Sequence, residues 1–196
     1  MDNALNPTLD NILLSPAQAG IAAAEFDELM LQHQRRIYRL LVSLVRDPDE
    51  ASNLTQECFI RAFEARDRYR GEASVGTWLT RIAVNLATDH ARSRRQSFWR
   101  RLFRSDQSEH AEFAARRVAA PVSDPEQQLL AREAMQSVWR TLDRLSPRQR
   151  TVFVLRFVED MSLEQIAQVT GMETGTVKSH LSRSLKAVRS NVRGMR

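Results

Sequence analysis

An all-helical fold, arranged as two small domains joined by a flexible linker, follows from three features of the sequence. Apolar residues recur at three- and four-residue intervals over several long stretches, and no segment alternates apolar and polar residues as a half-buried strand does. Only six glycines occur in 196 residues. A polar stretch from Ser105 to Pro125, holding two prolines, then splits the helical pattern in two.

The elements follow in order. Residues 1 to 24 carry Pro7, Pro16 and a short apolar cluster, and are expected to form a mobile leader. From Glu25, Phe26, Leu29, Met30, Ile37, Leu40, Leu41, Leu44 and Val45 keep helical spacing up to Asp47-Pro48, where proline disfavours helix in the preceding residue. A second helix is expected from about Asp49 to Tyr69, burying Leu54, Cys58, Ala62 and one or both of Phe59 and Phe63. Arg70 to Gly76 reads as a loop. A third helix starts near Thr77 with Trp78, Leu79, Ile82, Ala83 and Leu86 inward. These elements make a first domain over 25–97, followed by a basic and then polar linker over 98–125.

The second domain, 126–196, opens with a helix through Leu129, Leu130, Ala134, Val138, Trp139 and Leu142. Ser146-Pro147 then caps a helix running from Arg148 to Glu159. Ser162 with Gln165 three residues on is a capping box. Leu163, Ile166, Ala167 and Thr170 form the inner stripe of that helix, and Gly171 ends it. In the last helix Val177, Leu181, Leu185 and Val188 point inward, and every charge after Glu173 is positive. This is a helix-turn-helix whose exposed Thr176, Lys178, Ser179, Ser182, Arg183 and Lys186 have the length and donor types needed in a DNA major groove. The alternative is a basic, solvated face on an ordinary helical hairpin.

Composition narrows the classes. A formal charge of +5 favours a polyanionic partner. No stretch approaches the roughly 18 apolar residues that span a bilayer, and the N-terminus lacks a secretory signal pattern. The single cysteine, Cys58, reads as a core residue in a reducing, cytoplasmic compartment. Four scattered histidines give no metal-ligand spacing, so neither a metal nor a cofactor is expected.

Three N-terminal features remain. Trp78, Arg81 and Asn85 put an aromatic, a guanidinium and an amide on one helix, suited to stacking on and reading an unpaired base; from spacing alone, the reading of Trp78 as core and Asn85 as a solvated helix residue is favoured. Arg92, Arg94 and Arg95 begin a run of six arginines reaching Arg104, interleaved with Phe98 and Trp99 and free of acids. Asp49 to Glu57, DEASNLTQE, is an acid- and amide-bearing helix start, ordinary by itself.

In order, QECFIRAFEARDRYRG, ASVGTWLTRIAVNLATDHAR and LDRLSPRQRTVFVLRFVEDMSLEQIAQVTGMETGTVKSHLSRSLKAVR resemble bacterial RNA polymerase sigma factors of the extracytoplasmic-function class. The resemblance implies a non-enzymatic protein that binds core polymerase and directs it to promoters. In the family, domain two docks on the clamp of the largest subunit, through the segment matched here by Asp49, Glu50, Ser52, Asn53, Gln56 and Glu57. Strand opening and reading of the melted minus-ten element match Trp78, Arg81 and Asn85, with the Arg70 to Val75 loop as the pocket for a flipped base and Arg92, Arg94 and Arg95 as further DNA contacts. Domain four reads the minus-thirty-five element as duplex through the last helix and meets the polymerase flap. An anti-sigma factor is an expected partner.

The chain departs from the family pattern at Ser52 and Asn53, where many relatives carry acids, and at Val75 and Gly76, which are small where housekeeping members carry aromatics. Glu173 stands where relatives often have proline. The leader and the Phe98 to Arg104 segment are unmatched. The main rival is a stand-alone helix-turn-helix regulator binding operators without polymerase. A nucleic-acid enzyme is more distant, since no carboxylate cluster or nucleophile–base pair stands at motif spacing.

Overall fold

The computed structural model describes residues 20–102 and 138–193, with side chains described through residue 95 and again from 138 to 190. Within these the chain is helical, with no strand among the described residues. The expected linker from 103 onward, residues 1–19 of the leader and residues 126–137 of the fourth helix lie outside them.

The first unit is built on a helical hairpin. Helix α1, Ala23–Val45, buries Phe26, Ile37, Leu40, Leu41 and Leu44. It ends at Arg46, whose φ of 63° is left-handed and whose N–H returns to the Val42 carbonyl. A non-glycine residue in that conformation costs roughly 1 to 2 kcal/mol, offset here by the capping hydrogen bond that closes the helix. The next residue, Asp47, caps α2, Pro48–Ala65: its carboxylate accepts from the N–H groups of Asp49 and Glu50, each at 3.1 Å. The Asp47-Pro48 pair thus ends one helix and starts the next, with proline at the first position, where no N–H is needed.

On α2, Ala51, Thr55, Cys58, Phe59 and Ala62 are buried, while Phe63 stays at the edge, its ring 5.2 Å from Phe26. The helix stops at Ala65 rather than near Tyr69, and a 3-10 turn, Arg66–Arg68, follows. The reason is long-range: Gly20 N–H bonds the Tyr69 carbonyl at 2.9 Å and Ile21 N–H bonds the Arg66 carbonyl at 3.1 Å. Ile21 is itself buried. The leader expected over 1–24 is therefore corrected over 20–24, which belong to the folded unit.

Helix α3, Val75–Leu102, begins two residues before the expected Thr77. Ser74 sets the start, its hydroxyl accepting from Thr77 N–H at 3.2 Å and its carbonyl from Trp78 N–H at 2.9 Å. Leu79, Thr80, Ala83, Val84, Leu86 and Ala87 are buried, and Thr80 satisfies its hydroxyl on the Gly76 carbonyl. The helix continues unbroken past residue 97, through the first residues assigned to the linker.

The second unit holds α4 (138–144), α5 (Pro147–Phe157), α6 (Leu163–Thr170) and α7 (Thr174–Arg193). Both capping boxes form: Gln149 N–H donates to the Ser146 hydroxyl and Gln165 N–H to that of Ser162, each glutamine side chain accepting in return. Gly171, at φ 66°, makes the turn between α6 and α7. Val169 and Ser184 join the expected inward residues, Ser184 bonding the Leu181 carbonyl.

The units share one apolar cluster. Ile37, Leu40, Leu41 and Leu79 are contiguous with Val152, Leu155, Ile166, Val169 and Val177, all at most 2% exposed. Helix α6 packs on α3, and α5 on α1. Burying a large aliphatic side chain is worth about 1.5 to 3 kcal/mol, so a continuous core favours the docked arrangement.

Candidate nucleic-acid interface

Three surfaces emerge from this scaffold. The first is the outer face of α2, where Asp49, Ser52, Asn53 and Gln56 are exposed opposite Ala51, Thr55 and Cys58. Glu50 and Glu57, on its margins, are half-buried and paired. Glu50 Oε1 lies 3.1 Å from His90 Nδ1 on α3, and Glu57 accepts from Arg61 Nε at 2.7 Å. Among the described residues, Asp49 alone of the three acids presents a carboxylate with no ion pair to loosen, and the polar Ser52 and Asn53 dominate the centre of the face.

The second surface lies at the start of α3. Trp78, Arg81 and Asn85 recur at three- and four-residue spacing, as do Arg92 and Arg95 further along, so all five share one side of the helix. Arg81 and Asn85 are exposed; Trp78 is half-buried against the core. Its ring lies 5.1 Å from that of Tyr69, tilted by 43°. Tyr69, absent from the expected site, donates its hydroxyl to the Ala73 carbonyl at 2.5 Å, bracing the 70–73 loop. Burial raises its phenol pKa, so it remains a donor.

Arg70, Trp78 and Arg81 line one cavity of about 540 Å³ together with Arg68, Tyr69, Glu72, Ala73 and Thr77. Val75, expected in the pocket loop, belongs to α3. Arg92, Arg94 and Arg95 are exposed but stand apart: at 1.5 Å per residue, Arg92 is about 20 Å along the helix from Trp78. Arg92 has a long contact, 3.7 Å, with Asp89. Two residues from α6, Gln168 and Val169, close the other side of the cavity. Arg68 and Tyr69 carried a signal, since they sit within the quoted RDRYRG run; Gln168 and Val169 carried none.

The third surface is α7. Thr176, Lys178, Ser179, Ser182, Arg183 and Lys186 are all exposed, as expected. Lys178, Ser182 and Lys186 line a shallow groove with Arg189, floored by Leu181 and Leu185. The Ser179 hydroxyl donates to the Gly175 carbonyl, which leaves it an acceptor toward solvent. Glu164 of α6 is held below the usual carboxylate range by its own backbone N–H, the Ser162 hydroxyl and the Lys178 charge. Desolvation, then Arg183 and Arg148, lowers the pKa of His180, which leaves a neutral imidazole on this helix at pH 7.

Among the described residues, no group of three or more His, Cys, Asp or Glu side chains could hold a metal ion. No described helix is long and apolar enough to cross a membrane.

An all-helical pair of units, one carrying an aromatic and cationic helix face and the other a basic helix-turn-helix, has the character of a DNA-binding protein. The comparisons with known proteins agree. The family described as Sigma-70 region 2 matches residues 29–97, and Sigma-70, region 4 matches residues 135–188. The RNA polymerase sigma-H factor of Pseudomonas aeruginosa is 37% identical over 183 residues, covering 91% of each chain. The ECF RNA polymerase sigma-E factor of Escherichia coli K12 is 32% identical over 185 residues, covering 93% of this chain and 94% of the relative.

Two solved structures share the fold. The sigma factor RpoE in complex with the anti-sigma factor NepR from Bartonella quintana has a TM-score of 0.66 at 22% identity, over 88% of this chain and 99% of the other. CnrH in complex with the cytosolic domain of CnrY has a TM-score of 0.59 at 20% identity, over 88% and 90%. The chain belongs to the extracytoplasmic-function class of RNA polymerase sigma factors, DNA-binding factors of transcription initiation rather than enzymes.

Proposed function

We propose that this sigma factor reads a promoter in two physical states at once. Helix α7 enters the major groove of the minus-thirty-five element as duplex, with Lys178 and Lys186 on phosphates and Thr176, Ser179, Ser182 and Arg183 toward base edges. The Trp78, Arg81 and Asn85 face takes the minus-ten element as melted strand, with Arg70 and the braced 70–73 loop around a flipped base. Arg92, Arg94 and Arg95 follow the backbone. The observation that carries this reading is the pairing of two acid-poor faces, one with an aromatic at its head and one without, on the same chain.

Opening follows from trapping. Unstacking a base costs a few kcal/mol, and stacking it on an aromatic side chain returns roughly 1 to 3 kcal/mol. Hydrogen bonds from Asn85 and Arg81 add to that return. A rigid Trp78, held by Tyr69, gives up little entropy on stacking.

Core polymerase is the partner that brings the two faces to one promoter. The α2 face with Asp49, Glu50, Ser52, Asn53, Gln56 and Glu57 meets the clamp of the largest subunit, and the second unit meets the flap. An anti-sigma factor is the expected regulatory partner, as in the complex of RpoE with NepR. The protein acts in the cytoplasm without a cofactor. A run-off assay with core polymerase tests the reading: specific transcripts appear only when the chain is added. Tight operator binding by the chain alone, with no transcript, would favour the stand-alone regulator.

A further inference from the structure

At the start of α2, one side chain does not follow local rules. A glutamate three residues after a capping residue commonly turns back to the cap's own N–H and closes a capping box. Asp47 makes its half of that box, its carboxylate accepting from Glu50 N–H at 3.1 Å. The Glu50 side chain instead crosses to α3, where its Oε1 lies 3.1 Å from His90 Nδ1. At α5 and α6, by contrast, both boxes close.

His90 is placed for that contact. It follows the buried Leu86 and Ala87 by one turn of α3, and its side chain is 19% exposed against 33% for Glu50. A carboxylate only accepts, so the imidazole proton is assigned to Nδ1, facing the acid. That also spares Nε2, which is buried without a hydrogen-bond partner among the described residues, from becoming an orphaned donor. Glu57 is held differently: it pairs with Arg61 one turn along the same helix, both about half exposed, and solvent loosens such a pair easily.

Charge points to the partner. Helix α2 carries no Lys or Arg before Arg61, so its exposed start is acidic in a chain of net charge +5. Ser52 and Asn53 are uncharged, which leaves Asp49 and Glu50 to supply the charge at this end of the face. A cationic surface is its complement.

We propose that His90 is a positioning residue for polymerase docking: it holds the Glu50 carboxylate at the rim of α2, where with Asp49 it meets a cationic side chain of the clamp. The inference rests on the proposed reading of the α2 face as the docking surface. Glu50 keeps a third of its side chain open, and a carboxylate accepts at both oxygens, so the contact with His90 persists in the complex. A side chain held before binding loses less rotamer freedom on binding. That saving is what His90 contributes.

Titrations of core polymerase with the full chain test this. His90→Leu keeps a similar volume and removes the donor; core affinity is expected to fall about three- to tenfold, the effect of one side chain left free until docking. Glu50→Ala should lose at least as much, and adding His90→Leu to it should lose nothing further, since the two act as one. His90→Asn, whose amide nitrogen can stand in for Nδ1 and whose helix propensity is close to that of His, should restore most of the affinity. If His90→Leu merely loosened α2, it would also shrink the loss caused by Gln56→Ala; that loss is expected unchanged. A shrunken Gln56 loss, independent losses for His90→Leu and Glu50→Ala, or no loss in His90→Leu would overturn the proposal. So would a gain in affinity, which would make His90 a competitor for Glu50. Loss with Gln56→Ala but none with Glu50→Ala overturns it and leaves the docking face standing. No loss with any of the three strikes the docking reading itself, and the role of His90 with it.

Discussion

Tyr69 and Trp78 face each other across the start of α3 with ring centroids 5.1 Å apart, and the Tyr69 hydroxyl ties the pair to the loop at Ala73. The tryptophan is thus fixed by a neighbour from another element before any DNA arrives. Preorganisation of this kind lowers the entropy lost on stacking.

Removing the ring separates docking from opening. Trp78→Ala should still form holoenzyme through α2, but open-complex formation should fall by about five- to 150-fold, the equivalent of roughly 1 to 3 kcal/mol of lost stacking. Strand-opening kinetics with purified holoenzyme measure this. Unchanged opening would remove Trp78 from the mechanism.

On α7, Lys178→Ala and Arg183→Ala should both weaken recognition of the upstream element, in different ways. Loss of a phosphate contact at Lys178 weakens all sequences alike and lowers the salt slope by about 1; loss of a base contact at Arg183 costs roughly 1 to 3 kcal/mol and relaxes sequence preference. Binding titrations over a salt series distinguish the two.

Stability of the helix-turn-helix depends on its cap. Ser162→Ala leaves the Gln165 N–H without its acceptor and should cost about 1 kcal/mol, seen as a melting temperature lowered by a few degrees. Ser162→Asp, which caps equally well, should melt close to wild type.

The pH dependence of the same unit has a definite sign. Because His180 has a lowered pKa when folded, the unfolded chain takes up its proton first as the pH falls below 6.5. Its contribution to stability is complete above 6.5 and is lost as pH falls through the folded value. Denaturant titrations between pH 7.5 and 5 should lose part of their acid slope in His180→Gln.

Burial pushes the Cys58 thiol up to about 12, against a smaller opposing pull from Arg61. A thiol with so little thiolate, enclosed in the core, should resist alkylation at pH 8 until the protein unfolds. Fast labelling of the native chain would contradict the packing of α2 on α3.

Local chemistry was the legible part of this sequence. Ser146, Ser162 and Gly171 form the caps and turn their neighbours dictate, because a cap needs only groups within three residues. The exposed face of α7 follows from periodicity alone. The end of α2 did not, since the chain just after it is held at the Arg66 and Tyr69 carbonyls by hydrogen bonds from Ile21 and Gly20, far away in the chain. Likewise α3 starts early because Ser74 caps it, its hydroxyl accepting from Thr77 N–H, so that Gly76 falls inside the helix. Arg36 Nε donates to Glu159 Oε2 at 2.7 Å across 123 residues of sequence, and no local pattern announces the pair. Gly76 looked like loop punctuation, yet it is a helical residue that seats Arg36. Long-range polar contacts leave no periodic trace.

If one chain lets polymerase read and open a promoter through two faces, opening at the downstream element must depend on both the chain and Trp78. Permanganate reactivity of minus-ten thymines tests it most directly, measured with core polymerase alone, with the wild-type chain and with Trp78→Ala. Reactive thymines are expected with the wild-type chain only, and little above background with the variant. Equal reactivity in all three, or none with the wild-type holoenzyme bound at its promoter, would contradict it.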